Sequence, residues 1–471
     1  MKIAVINGSP KGELSVTLQY IRYLSNNFPE HVITEYSIGK KIKSIENKSE
    51  AADEIFKGIG ESDLIIWATP IYYLLVPAQL KRFIELIYER NATEFFKGKY
   101  AAAVTTSIHF FDHTAHDYLR GISEDLGMNF AGSFSAHSND ILIADERKNL
   151  RTFFKDIIRS AEEKRIFERE TLEVPDGKFS YLPKNPGEKT DAKDLRVVLL
   201  HDADEGTNLY SMVKRMADSF EGDVDVRDIR NSGMKGGCLG CCRCAFDNVC
   251  VYSDGFTDFW KSSVGNSDIL IMAGTVTDRY LSSVWKQFLD RSFFMGHVPY
   301  LKGKQIIYLV EGNLSYLPSL KECLVERVYT GEANPVGVIT DETGDSAKTD
   351  RLIHEAAERS VMFARENYIP PAKCTPVGAR KIFRDEIYGE MRSIFKADDR
   401  YYKKAGLYDF PTRKRLKVIK TSLFSLFLSI KPMQENVKKD MNKFQVKPMR
   451  EIAEGAVEEG VDGVVEGEKG K

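Results

Sequence analysis

The chain has 471 residues, of which 42% are hydrophobic and 29% charged. That usage suits folded globular domains and excludes disorder of the whole chain; at ~100–200 residues per domain the length accommodates two to four of them. Lys+Arg 67 against Asp+Glu 69 gives a net charge of -2, so no general positive field argues for nucleic acid.

KIAVINGSP, at the start, predicts a buried strand that ends in a Gly-Ser-Pro loop, and a helical pattern follows from Leu14 to Leu24. SDLIIWATPIYY, from Ser62, predicts a second strand and a loop. VPAQLKRFIELIYER is a helix, KGKYAAAVTTS a third strand and RKNLRTFFKDIIRSAEEKR a closing helix. Strands alternating with helices imply βαβ units and a parallel sheet.

The order then repeats. SDLIIWATP is echoed by SDILIMAGT, LKRFIEL by WKQFLDR, and KGKYAAAV by KGKQIIYLV; Ser62 and Ser267, Leu80 and Trp285, Lys97 and Lys302 all lie 205 positions apart. The first strands, Lys2–Ile6 and Arg196–Leu200, lie 194 apart, so the second copy carries about eleven extra residues ahead of its third strand. The expected fold class is α/β, with two tandem doubly wound parallel-sheet domains at 1–168 and 193–370. Residues 169–192, rich in Pro, Gly and charge, read as a linker. A basic helical extension is expected at 371–450, and an acidic, Gly-rich, disordered tail at 451–471.

In an open parallel sheet, ligands bind at the carboxyl ends of the strands. GSPKGELSVT joins the first strand to a helix. Gly8 permits a tight turn, the helix N-terminus offers unpaired N–H groups, and Ser9, Lys11, Ser15 and Thr17 add donors that suit a phosphate. The loop after the second strand offers Pro70, Ile71, Tyr72 and Tyr73 as a wall for a flat ring. The loop after the third offers Thr106, Ser107 and His109 as polar groups for a ring edge. His109, His113, His116 and His137 cluster with Asp112, Asp117 and Asp140; a polar loop over the ring is the preferred reading, ahead of a metal site.

Five of the seven cysteines, Cys238, Cys241, Cys242, Cys244 and Cys250, fall in one loop of the second copy, inside the interval that carries the extra residues. Cys238-x2-Cys241-x2-Cys244-x5-Cys250 can wrap a [4Fe–4S] cluster. Structural zinc and unmetallated redox thiols are the other readings, although zinc sites more often pair two knuckles far apart.

The motifs INGSPK with Ser15-x-Thr17, Pro70-Ile71-Tyr72 and LKRFIE resemble the flavodoxin-like NAD(P)H-dependent FMN reductase family over most of residues 1–165. The resemblance implies FMN, with the phosphate on Ser9, Lys11, Ser15 and Thr17 and the isoalloxazine between the Pro70–Tyr73 loop and Thr106–His109. Where the family shows Ser-Asn-Thr, this chain has Ser15-Val16-Thr17. The cysteine loop resembles that of the iron–sulfur flavoproteins, which implies a [4Fe–4S] cluster on Cys238, Cys241, Cys244 and Cys250. That family pairs the FMN of one subunit with the cluster of its neighbour, so a tandem chain is expected to form an intrachain pseudo-dimer, or else a homo-oligomer.

The second copy departs from the pattern. Its first loop, HDADEGTN, places Asp202, Asp204 and Glu205 where a phosphate should sit, and only Thr207 and Asn208 keep the family's contacts. Asp278 and Arg279, in place of the Pro-x-Tyr loop, read as an Arg–Asp structural pair. Flavin binding is therefore expected in the first copy.

The expected function is NAD(P)H-dependent flavin oxidoreduction. Electrons would pass from FMN to the cluster, an external acceptor or a redox protein, with no catalytic acid or base supplied by the chain. The alternatives are a carrier not reduced by NAD(P)H, and a non-enzymatic binding protein with a zinc loop. No apolar run reaches the ~18 residues needed to span a bilayer, and MKIAVINGSP lacks the features of a signal peptide, so the expected location is the cytoplasm. Residues 413–450 hold eleven Lys/Arg against Glu435 and Asp440, around the short apolar SLFSLFLSI; solvated helix faces are preferred there over membrane docking.

Overall fold

A computed structural model describes residues 1–410, apart from 176, 178, 185–188, 297 and 393, together with isolated positions 416, 419, 423, 430 and 432. Two compact units are separable, Met1–Ala405 and Gly406–Lys471. Most of the second, including the acidic tail and most of the basic stretch, lies outside the described residues.

The first copy runs β1 (Lys2–Asn7), α1 (Val16–Asn27), β2 (Val32–Ser37), α2 (Ile38–Asn47), α3 (Ser49–Gly60), β3 (Leu64–Pro70), α4 (Ala78–Glu89), β4 (Tyr100–Ser107), α5 (Asp112–Asp125), β5 (Asn129–His137) and α6 (Ala144–Glu162). Its sheet is parallel, in the order β2-β1-β3-β4-β5. β1, β3 and β4 are buried nearly throughout, as expected of strands covered on both faces. The apolar runs of the sequence therefore mark these strands clearly. β2 and β5 are partly exposed and mixed in character, which is why no such run announced them.

The second copy follows a short strand β6 (Thr190–Asp191). It runs β7 (Val197–His201), α7 (Asn208–Ala217), β8 (Phe220–Glu221), β9 (Val224–Asp228), α8 (Phe256–Ser262), β10 (Ile269–Thr277), β11 (Tyr280–Leu281), α9 (Ser283–Arg291), β12 (Gln305–Glu311), α10 (Pro318–Thr330), β13 (Asn334–Thr340) and α11 (Ser346–Arg365). Its main path is β9-β7-β10-β12-β13. Both sheets thus share one order, the doubly wound 2-1-3-4-5 of flavodoxin-like folds. The helical C-terminal part contributes α12 (Cys374–Glu386) and α13 (Lys396–Lys404).

The two copies face each other across α4 and α9, and the contacts are reciprocal. Lys81 pairs with Glu85 (3.2 Å) and Lys286 with Asp290, each one turn apart on its own helix and each buried. Asp290 accepts from the Ala78 N–H at the start of α4 (2.9 Å), while Glu85 accepts from the Ser283 N–H at the start of α9 (2.5 Å). Lys81 donates to the Thr277 carbonyl (2.7 Å) and Lys286 to the Tyr72 carbonyl (2.8 Å). Every one of these pairs is related by the 205-residue repeat. The helix N-termini, which leave N–H groups orphaned, are thereby satisfied by the opposite copy. One buried cluster runs through the seam, from Trp67, Phe83 and Ile84 to Trp285 and Phe288. The tandem is therefore built like a symmetric two-fold dimer made within one chain.

Candidate functional site

The loop after β1 is held by its own polar groups. Asn7 is fully buried; its side chain donates to Glu35 (2.8 Å) and accepts from the Ser9 N–H (3.0 Å). Gly8 must be glycine, since a Cβ there would lie 2.6 Å from Leu80 Cδ2 and 2.8 Å from Thr69 Oγ1. The Ser15 hydroxyl caps α1 by accepting from the Leu18 N–H (3.3 Å). Ser9, Ser15 and Thr17 are buried, and Thr17 Oγ1 lies 2.6 Å from Thr106 Oγ1, which joins this loop to the end of β4. The Ile71 N–H donates to the Thr106 carbonyl (3.1 Å), which ties in the loop after β3. The residues predicted on three separate loops are thus brought to one sheet edge.

Two of the predicted ring-wall residues differ in their surroundings. Tyr73 and Leu74 both adopt left-handed backbone (φ 42° and 72°) in a tight turn closed between Tyr72 and Leu75. The turn sends the Tyr73 ring into the second copy, under the Arg327 guanidinium at 4.5 Å. The Tyr72 hydroxyl is buried and has no hydrogen-bond partner among the described residues. Burial, Cys238 and Asp290 hold its pKa well above the ordinary tyrosine range.

Tyr72 points at the cysteine loop of the other copy. A Cβ on Gly240 (φ +62°) would fall 1.8 Å from the Tyr72 hydroxyl and 3.0 Å from Lys11 Cε, so the loop backbone passes directly beside both residues. The Gln79 side chain anchors the Cys238 carbonyl (3.0 Å). Burial and the surrounding thiols push Cys244 up to about 12; burial likewise pushes Cys238 up to about 12 against a hydrogen bond from the Gly240 N–H. Cys242 is raised by burial, an effect partly opposed by Lys11. Lys11 and Gly240 were separate motifs in the sequence, and only the packing of one copy on the other joins them.

The cysteines share one neighbourhood without forming a cage. Cys238 Sγ accepts from the Gly240 N–H (3.4 Å), Cys242 Sγ turns to the Gly240 carbonyl (3.6 Å) and Cys241 is exposed. Among the described residues, no three His, Cys, Asp or Glu side chains are gathered closely enough to hold a metal ion. Cys238, Cys241, Cys244 and Cys250 thus lie along one loop without converging on a single point.

The histidines divide among separate partners. His109 Nδ1 lies 2.9 Å from Asp112, His116 Nε2 2.6 Å from Thr105, His113 Nε2 3.1 Å from Glu322 and His137 Nε2 3.0 Å from Glu386 on α12. Phe110, beside His109, packs edge-on against Phe383 of α12 (4.7 Å). Nothing in the amino-acid order indicates that the C-terminal helices reach this edge.

At the matching edge of the second sheet, Asp202 accepts from Ser282 and is pushed up to about 6 by burial. Asp204 pairs with Arg230. Thr207 caps α7, and the Asn208 amide is taken by Phe179 and Asp341. Tyr181, from the segment read as a linker, is buried here against Asp350. Asp278 and Arg279 are structural but do not pair with each other: Asp278 lies 3.7 Å from Lys81, and Arg279 binds Asp125, both in the first copy.

Residues 1–140 match the family model described as NADPH-dependent FMN reductase, over the segment that carries β1 to β5. An iron-sulfur flavoprotein of Archaeoglobus fulgidus is 28% identical over 156 residues, covering 29% of this chain and 70% of that protein. Solved structures that match include an NADH:FMN oxidoreductase in its apo form (20% identity, 34% of this chain and 89% of that one, TM-score 0.29). Another is an FMN-dependent NADH-azoreductase of Bacillus anthracis in complex with FMN (15% identity, 35% and 99%, TM-score 0.26). No helix among the described residues is long and apolar enough to cross a membrane.

The residues at the first edge fit FMN. Buried hydroxyls and Lys11 stand at the N-terminus of a twelve-residue helix, which suits a phosphate, and the orphaned Tyr72 hydroxyl lacks the partner a buried donor needs.

Proposed function

We propose that this chain is an NAD(P)H-dependent flavin oxidoreductase that holds one FMN, at the carboxyl edge of the first sheet, and works in the cytoplasm. Ser9, Lys11, Ser15 and Thr17, with the start of α1, hold the phosphate. Pro70, Ile71 and Tyr72 line one side of the ring, and Thr106, Ser107 and His109 its polar edge. When bound, FMN supplies a hydride acceptor and a one-electron donor in one ring system. The observation that carries this reading is the convergence of three loops on one edge, with the buried Tyr72 hydroxyl left without a partner among the described residues.

Electrons leave to an external acceptor. A [4Fe–4S] cluster on Cys238, Cys241, Cys244 and Cys250 is supported by the crowding of the thiols in one loop and by the name of the Archaeoglobus relative. It requires the loop to regroup its sulfurs, and nothing in the assignment of the flavin edge depends on it.

The test is anaerobic purification followed by flavin, iron, sulfide and zinc analysis, then titration with NADH and with NADPH. The expected result is one FMN per chain whose absorbance bleaches with a reduced nicotinamide. A flavin that bleaches only with a reduced redox protein would make the chain a carrier, and a flavin-free zinc protein would overturn the assignment. Iron and acid-labile sulfide in equal amounts would establish the cluster.

A further inference from the structure

The first edge has a neighbour that belongs to neither copy. α12 follows the second copy in the chain, yet it meets the loops at the carboxyl ends of β4 and β5. Phe383 packs edge-on against Phe110 (4.7 Å), and Glu386 Oε1 lies 3.0 Å from His137 Nε2. Both contacts fall beside residues proposed to line the flavin ring. Phe110 follows His109, the His137 ring stands 6.0 Å from the His109 ring, and the Ser138 N–H donates to the Ser107 carbonyl (3.1 Å).

The second oxygen of Glu386 is left over. Oε2 is buried and has no hydrogen-bond partner among the described residues. A buried acceptor without a donor is costly and calls for one. FMN carries such donors, an N–H on its ring and hydroxyls on its ribityl chain.

α12 is also built to move. Of its thirteen residues only Pro376 and Ala379 are buried, whereas α10, of the same length, buries six. Elements with few buried contacts open locally at low cost. The chain beyond α12 is better anchored: Ile387 and Tyr402 are buried, and Arg400 donates to the Phe246 carbonyl in the thiol loop (2.8 Å). At the second edge the covering group is instead part of the core. Tyr181 is 2% exposed and bonds Asp350, while the Phe179 carbonyl accepts from the Asn208 amide.

We propose that α12 is a movable cover of the flavin site and that Glu386 is one of its binding residues. With FMN in place, Oε2 accepts a hydrogen bond from an N–H or hydroxyl of the flavin, and the Phe110–Phe383 contact holds the cover down. FMN enters and leaves when α12 lifts from Phe110 and His137. This rests on the function proposed above; it adds to that site an acid from outside both copies.

Hydrogen exchange of the full-length chain, without and with FMN, tests the cover. In the flavin-free chain α12 is expected to exchange faster than α10, and added FMN to slow exchange over 374–386 as well as over 8–17. Exchange in α12 that is as slow as in α10, or that ignores FMN while 8–17 becomes protected, overturns the cover and leaves the flavin assignment standing. A chain that takes up no FMN overturns both.

Three variants test the contacts. Glu386→Leu removes the acceptor, Phe383→Ala removes the ring contact, and His137→Leu breaks the Oε1 contact alone. Release of FMN from the loaded chain, followed by the rise in free-flavin fluorescence, is expected to be on the order of 10-fold faster in each of the first two, the scale of one hydrogen bond or one aromatic pair. His137→Leu should have a smaller effect. Unchanged release in Glu386→Leu and Phe383→Ala overturns the proposal, and equal effects of Glu386→Leu and His137→Leu overturn the direct contact of Glu386 with the flavin.

Discussion

The carboxyl edges of the two sheets descend from one plan and have been finished differently. Both sheets have the same strand order, and both present a loop, a tight turn with two left-handed residues and a helix N-terminus. In the first, the turn is Tyr73-Leu74; in the second, it is Asp278-Arg279. The first edge keeps hydroxyls and a lysine around a helix start. The second fills the same position with Asp202 and Asp204, and the preceding segment docks Phe179 and Tyr181 onto Asn208. An edge can therefore change its polar groups while its scaffold stays the same, because the scaffold is held by the seam. The reciprocal contacts of α4 and α9 stand on both sides, whereas the hydroxyls and lysine proposed to hold a phosphate stand on one.

Perturbing the seam should give the largest effect. Lys286→Met leaves Asp290 buried without its cation, and is expected to remove ~3–5 kcal/mol of stability. Lys81→Met should cost less, because Arg82 also reaches Glu85 (3.0 Å). Urea unfolding of both variants measures the difference, and equal small losses would mean that the symmetry of contacts is not a symmetry of energies.

Next comes an exchange of character between the edges. Ser9→Asp imports the acid of the second edge into the first. A charge about 4 Å from a phosphate is worth ~4 kcal/mol at an effective dielectric of 20, so FMN affinity should fall by at least ~10²-fold in a fluorescence titration. The reverse change, Asp202→Asn, is not expected to recruit a second flavin, since Asn208 is already occupied.

Asp202→Asn should instead reveal the strain of keeping an acid there. The folded-state carboxyl is raised to about 6 by burial, above its unfolded value of ~3.9. The proton is therefore held more tightly in the folded chain. That contribution to stability is complete below about pH 4 and is lost as pH rises through about 6. The variant should match the parent near pH 4 and exceed it by ~2–3 kcal/mol above pH 7. A stability difference independent of pH would show that Asp202 is not protonated on folding.

The smallest effect belongs to Tyr72→Phe. Its hydroxyl has no partner among the described residues, so removal should change stability by no more than ~1 kcal/mol, and in the favourable direction. If the hydroxyl serves bound FMN, affinity falls by up to ~10-fold; unchanged affinity would place Tyr72 outside the site.

Much of this was legible in the sequence because it is periodic or local. Fully buried strands announce themselves as apolar runs, the 205-residue repeat marked both copies, and Gly8-Ser9-Pro10 marked a loop that leads into a helix. Acids in the second loop showed which edge carries negative charge, since like charge repels a phosphate regardless of fold. By contrast, β2 and β5 were hidden by their mixed, half-exposed character.

Other features depend on residues far apart in the chain and were settled only by packing. Tyr73 is turned into the opposite copy by a left-handed turn. Gly240 owes its need for a bare backbone to Tyr72, some 170 positions away. His109 gains its orientation from Asp112 and, through it, from Ser135 on the next strand, while α12 reaches His137 from beyond both sheets. The amino-acid order by itself determined the two copies, their strands and the sign of charge at each edge, because those follow from hydrophobic period and local composition. Which edge meets the thiols, and which polar groups are left without partners beside them, was decided by the tertiary structure, because burial and hydrogen bonding are properties of neighbours in space.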